Sequence, residues 1–228
     1  MPDYMKDGTL MAADYPLAGG TWLLLGDSIT QYMKDGGYIQ TLASELKLAA
    51  YHSYAGAGAT WEKQSSSSLA GSSLGQLAAL KDDVTNGIYT PTIITTAFGT
   101  NCISQGTFWE DQQEQEINTD DETMCGAMHT VLQDILETFN VANVRIGGII
   151  PPQAKGRNEE MNATIKGRND LIRQIYKFYS IPYIDMANAG YIMDSNIVDN
   201  GTLGDTVHPS ARGNQVYCRR LKGWLPTL

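Results

Sequence analysis

The chain has 228 residues, enough for one α/β domain with loops to spare at roughly 150 residues per domain. With 42% hydrophobic and 18% charged residues, a buried core is expected and wholesale disorder is excluded. Acidic residues outnumber basic ones 25 to 16, for a net charge of −9. No basic stripe is left to neutralise phosphates, so no nucleic-acid partner is expected.

In chain order, MPDYMKDGTLMAADYPLAGG is polar, lacks the apolar core of a signal peptide and reads as an N-terminal arm over residues 1–20. Short apolar runs at 22–25, 49–54, 92–98, 144–150 and 181–184 read as buried strands. Helical periodicity fills the intervals at 38–48, 74–84, 124–139, 165–175 and 215–224. The third helix is preceded by Thr119–Glu122, a T-x-x-E pattern that suggests a capping box. Strands alternating with helices predict βαβ units. The expected fold is a three-layer α/β/α, flavodoxin-like domain around a central, mainly parallel five-stranded sheet. Two polar stretches, 64–73 and 102–117, break the rhythm and read as loops rimming the site. No apolar run approaches the roughly 18 residues of a membrane-spanning helix. Membrane insertion is therefore not expected, and the location is cytoplasmic by default, or extracellular had a leader been removed. Cys102, Cys125 and Cys218 form no CxxC pair and read as free thiols, against a disulfide framework or a structural zinc site.

Only three histidines, His52, His129 and His208, are available for chemistry needing an imidazole near neutral pH. Ser28 follows the first strand in TWLLLGDSIT, where strand C-termini form the ligand-binding face of a parallel sheet. Gly26 reads as the residue that permits the tight turn. The same serine is a good N-cap for a following helix, so GDS alone leaves nucleophile and cap both open. A serine nucleophile needs a base and an acid to orient it. Asp205 and His208, three apart in GDTVHP, can meet on one turn with the imidazole Nε2 facing a hydroxyl. His52 sits in a predicted strand and His129 off the apolar stripe of the third helix, so both read as bystanders. The third requirement is an oxyanion hole. Asn101 ends the strand reading IITTAFGTN, and Gly56 and Gly58 expose backbone N–H groups after the second strand. A phosphate-cradling reading of those glycines is weaker, because GxGxxG would need a glycine where Trp61 stands.

The blocks GDS, GAGA, GTN and DxxHP, in that order across residues 22 to 213, resemble the GDSL/SGNH hydrolase family. The resemblance implies a hydrolase domain over 21–228, with Ser28 as nucleophile, His208 as base and Asp205 orienting it. It also implies an oxyanion hole from the Ser28 and Gly58 N–H groups and the Asn101 side chain, with no metal or cofactor. Three positions depart from the family pattern. The first block reads GDSI, and Cys102 replaces the acid usual after Asn101. In the second block Ala59 stands where an acid is frequent, which leaves Gly56 and Gly58 both open as donors. A competing GxSxG match at 71–75 would make Ser73 the nucleophile of an α/β-hydrolase elbow, but no apolar strand precedes it.

Tyr32, Trp61, Phe108 and Trp109 are expected on the rim, the last three as substrate-binding residues. Aromatic faces among polar neighbours favour a carbohydrate carrying small acyl groups such as O-acetyl. The partner is then a small-molecule or glycan ester. The alternatives are a lipid-directed esterase, lysophospholipase or thioesterase of the same family, or a catalytically idle glycan-binding module.

Overall fold

A computed structural model describes residues 16–63, 71–152, 159–187 and 207–228. Five strands, β1 (Thr21–Gly26), β2 (Ala50–Ser53), β3 (Ile93–Ala97), β6 (Arg145–Ile150) and β7 (Tyr183–Asp185), form one sheet. Its order is β2-β1-β3-β6-β7, and every neighbouring pair is parallel. This is the flavodoxin-like order, whose switch point lies between β1 and β3. The expected three-layer fold is present, and each predicted strand lies within a few residues of an observed one. β7 starts later than its apolar run suggests because Pro182 has no N–H to donate to the ladder.

Alternation along β1 divides the core. Leu23 and Leu25 face α3 (Ser73–Thr85), α4 (Met124–Thr138) and α5 (Glu159–Phe178). Trp22 and Leu24 face α1 (Ser28–Asp35), α2 (Tyr38–Glu45) and α6 (Ala211–Trp224). Successive side chains on a strand point to opposite faces, so one apolar strand serves both layers. Leu17, assigned to the arm, is 2% exposed within the second cluster, so the end of that segment packs as part of the domain. Residues 1–15 lie outside the described residues. No helix among the described residues is long and apolar enough to cross a membrane.

Two local expectations change. The cap of α4 is Thr123, whose Oγ1 accepts from the Gly126 N–H at 3.2 Å, and not Thr119. Residues 118–122 instead form turns held by the Asn118 and Asp120 side chains, which accept from the N–H groups of Asp120 and Glu122. The polar stretch 102–117 is not purely loop. It contains β4 (Trp109–Asp111) and β5 (Glu116–Ile117), an antiparallel pair. Phe108, just before it, packs edge-on against the His129 ring, with centroids 4.8 Å apart. This cover explains why His129, read as lying off the apolar stripe, is fully buried in α4.

Strands β1 and β3 are locked across the switch point by a buried hydrogen bond from Trp22 Nε1 to Thr95 Oγ1 at 2.9 Å. Thr95→Val preserves shape and strands the indole donor. Stability should fall by about 1–3 kcal/mol, read as a lower urea midpoint at unchanged slope; an unchanged midpoint contradicts the assignment.

Candidate active site

β1 delivers the chain to the C-terminal edge of the sheet, and Asp27 turns it. Asp27 is the N-cap of α1, its carboxylate accepting from the Ile29 N–H at 3.0 Å. The capping role open to Ser28 is therefore filled by its neighbour, and Ser28 becomes the first helical residue. Its N–H has no intrahelical acceptor at that position. Ser28 is only 5% exposed, and its Oγ lies 2.9 Å from His208 Nε2. Gly26 owes its identity to a close approach: a Cβ there would sit 2.6 Å from Thr30 Oγ1.

His208 is half-buried and comes from the segment leading into α6, whose N-cap Ser210 accepts from the Gly213 N–H. The Tyr32 ring, on α1 one turn after Ser28, meets the imidazole edge-on with centroids 4.5 Å apart and an interplanar angle of 72°. Tyr32 thus stands at the site as expected, 51% exposed. Asp205 lies outside the described residues.

The two candidate glycines are distinguished by their bonds. The Gly56 N–H donates to the Gly26 carbonyl at 3.2 Å. Gly58 is exposed, has φ of +72°, and its N–H meets no acceptor among the described residues. That left-handed backbone suits glycine and turns the amide outward. Asn101, on the loop after β3, donates from Nδ2 to the Ala59 carbonyl at 3.2 Å, which ties its carboxamide to the Gly58 turn. Two groups not anticipated from sequence hold this loop. Arg168 of α5 donates to the Thr100 carbonyl at 3.2 Å. Glu62, 2% exposed, accepts from the Ile103 N–H, and its carboxylate stands beside the Cys102 thiol. An acid thus reaches the loop from just past the second block, although Cys102 stands where the family places one. Burial and the Glu62 carboxylate push the Cys102 thiol well above its usual range. Burial also raises Cys125 to about 11 and Cys218 to about 12, so the described thiols stay protonated at neutral pH.

The remaining candidates fall elsewhere. Ser73 is fully buried at the start of α3 and donates to the Trp61 carbonyl at 2.6 Å, so no elbow forms. Trp61, expected on the rim, is fully buried against Phe98 and Tyr176. Phe108 and Trp109 pack on Phe178, with centroids 5.5 and 5.8 Å away. Phe178 ends α5, which runs back along the sheet to where β7 begins. Phe178 lies ten positions beyond Arg168, the α5 residue that meets the Thr100 carbonyl, so the ring contacts of Phe108 and Trp109 are with α4 and the end of α5. His52 pairs with the Tyr89 hydroxyl at 3.0 Å, away from the serine. Among the described residues no group of three His, Cys, Asp or Glu side chains is placed to hold a metal.

A buried serine bonded to a half-buried histidine at the switch point of a flavodoxin-like sheet is an arrangement suited to acyl transfer. Residues 24–216 match the GDSL-like lipase/acylhydrolase family, and the chain belongs to that family. Among solved structures, a member of the lipolytic G-D-S-L family from Veillonella parvula has TM-score 0.58 at 14% identity, covering 91% of this chain and 99% of its own. An acetyl xylan esterase has TM-score 0.58 at 18% identity, covering 91% and 100%. A lipase/acylhydrolase from Enterococcus faecalis has TM-score 0.54 at 19% identity, covering 90% and 96%. At these identities the likeness is one of fold. No curated protein sequence matches the chain.

His129 Nδ1 lies 2.9 Å from the Tyr179 hydroxyl, and burial lowers its pKa from 6.5 to about 4. Between those values the unfolded chain binds a proton that the folded chain does not, so stability is lost as pH falls through that window. Between about pH 7 and about pH 4.5 the melting temperature of His129→Leu should fall less than that of the unaltered chain. Equal falls contradict the assignment.

Proposed function

We propose that the protein is a serine esterase that removes small acyl groups, O-acetyl foremost, from an alcohol carried by a carbohydrate. The observation that carries the reading is the 2.9 Å contact of His208 Nε2 with Ser28 Oγ at the sheet edge. Ser28 Oγ attacks the ester carbonyl while His208 takes its proton. The resulting oxyanion is held by the Ser28 and Gly58 N–H groups and the Asn101 carboxamide. His208 then protonates the departing alcohol and next activates a water that releases the acid, regenerating Ser28. Asp205 is the acid proposed to orient the imidazole.

Two features support a small acyl group. Ser28 is 5% exposed, which leaves a narrow approach, and one protein sharing the fold is an acetyl xylan esterase. The aromatics expected to bind substrate add no support, since Trp61 is in the core and Phe108 and Trp109 pack on Phe178. A lipid-directed reading also has an observation in its favour. Tyr32 beside His208 is 51% exposed, and Ile103, two residues past Asn101, is 76% exposed. Together they offer apolar surface next to the site.

Ser28→Ala or His208→Ala should lower kcat by about 10⁴–10⁶-fold. Asn101→Ala should lower it by about 10²–10³-fold. Undiminished turnover in Ser28→Ala defeats the mechanism. Comparing kcat/KM on p-nitrophenyl acetate, butyrate and octanoate separates the substrate classes. Acetate is expected to lead, and a preference for octanoate would transfer the case to lipids.

A further inference from the structure

A residue outside every catalytic block fixes the backbone that presents Ser28. In a β-strand the N–H and C=O of one residue point to the same side, normally toward a neighbouring strand. At Gly26, the last residue of β1, that neighbour is incomplete: the carbonyl meets the Gly56 N–H at 3.2 Å, but the N–H meets no strand carbonyl. Pairing with β2 runs only through Leu24 and Ser53, after which the chain turns away toward Gly56. The gap is filled from α3. Gln76 Oε1 accepts from the Gly26 N–H at 2.8 Å, and Gln76 Nε2 donates to the Gly26 carbonyl at 2.9 Å. A carboxamide carries an acceptor and a donor side by side, as a peptide unit of the absent strand would. The side chain is 1% exposed, so neither bond is exchanged for water.

We propose that Gln76 is a positioning residue for the esterase reaction, setting the orientation of both backbone donors of the oxyanion hole. One route runs forward: the clamped Gly26 peptide leads through Asp27 to the Ser28 N–H. The other runs sideways: the Gly26 carbonyl also accepts from the Gly56 N–H at 3.2 Å, which starts the turn carrying Gly58. Loss of the clamp leaves the Gly26 N–H without its acceptor and its carbonyl to the Gly56 N–H alone, inside a buried site, and lets both donors drift. Such drift weakens transition-state binding more than substrate binding. The proposal rests on the reading of Ser28 as nucleophile.

Hydrolysis of p-nitrophenyl acetate by the unaltered chain, Gln76→Leu and Gln76→Glu tests it, with kcat and KM fitted separately across the working pH range and the melting temperature recorded at each pH. Gln76→Leu should lose about 10–100-fold in kcat, with KM within about threefold, while still folded. Gln76→Glu supplies its own rescue. A protonated carboxyl again offers a C=O and an O–H in the amide's place, whereas the carboxylate has no donor for the Gly26 carbonyl. Its kcat relative to the unaltered chain should therefore rise as pH falls. Unchanged kcat in Gln76→Leu, a loss matching only a smaller folded fraction, or a Gln76→Glu ratio flat with pH would each overturn the proposal. If Gln76→Leu does not fold, the Gln76→Glu ratio decides. No turnover by the unaltered chain would instead remove the esterase reading itself, and the positioning role with it.

Discussion

The hydrogen bond between Ser28 Oγ and His208 Nε2 joins residues 180 positions apart, and the rest of the structure can be understood as the means of closing it. The serine is fixed because β1 is the strand buried between β2 and β3, with one face packed on each helical layer. The histidine is fixed because α6 packs in the same cluster as β1, α1 and α2, through Tyr217 and Leu221, with Leu225 just past its end. Neither side chain is held in place by local sequence. A shift of about 1 Å between the two layers would be enough to spoil the proton transfer.

The other site groups reach the same edge by independent supports. Asn101 is held from below by Arg168 on the Thr100 carbonyl and from the side by its own bond to Ala59. Gly58 belongs to a turn tied at one end to Gly26 and at the other to α3, where Thr60 bridges Ser72. These supports are mostly side chains bonding backbone groups that regular structure leaves unpaired, the condition under which a buried loop is affordable. The backbone around Ser28, Gly58 and Asn101 is therefore pinned from several sides. Tyr32, beside His208, and Ile103, two residues past Asn101, remain exposed.

The sheet was legible in the sequence because a strand buried on both faces reads as an unbroken apolar run bounded by Gly, Pro or polar residues. Ser28, Asn101 and His208 were legible because each sits where such a run ends or a short motif follows it. Other features left weaker traces. α1 is a helix of eight residues with mixed polarity, ended by Gly36 and Gly37, and gives little periodic signal. β4 and β5 have three and two residues and carry acidic side chains, so nothing marks them as strands. Their hairpin in turn buries His129, whose environment depends on a partner distant in sequence. Trp61 looked like a rim residue because charged neighbours follow it, yet Thr60, Trp61 and Glu62 are all buried, which no local pattern encodes. Gln76 did leave a trace: it lies on the same buried helical stripe as Ser73, Leu77 and Leu80. A carboxamide on a core stripe needs a partner, but the sequence could not say that the partner is the residue two before Ser28.

The central claim is that His208 activates Ser28 as the nucleophile of this fold, and covalent capture tests it most directly. The folded chain is exposed to a fluorophosphonate probe, and the adduct is located by peptide mass mapping. The account predicts one adduct, on Ser28, that fails to form in His208→Ala. An adduct on Ser73 or another serine, or no adduct on a folded chain, would contradict it.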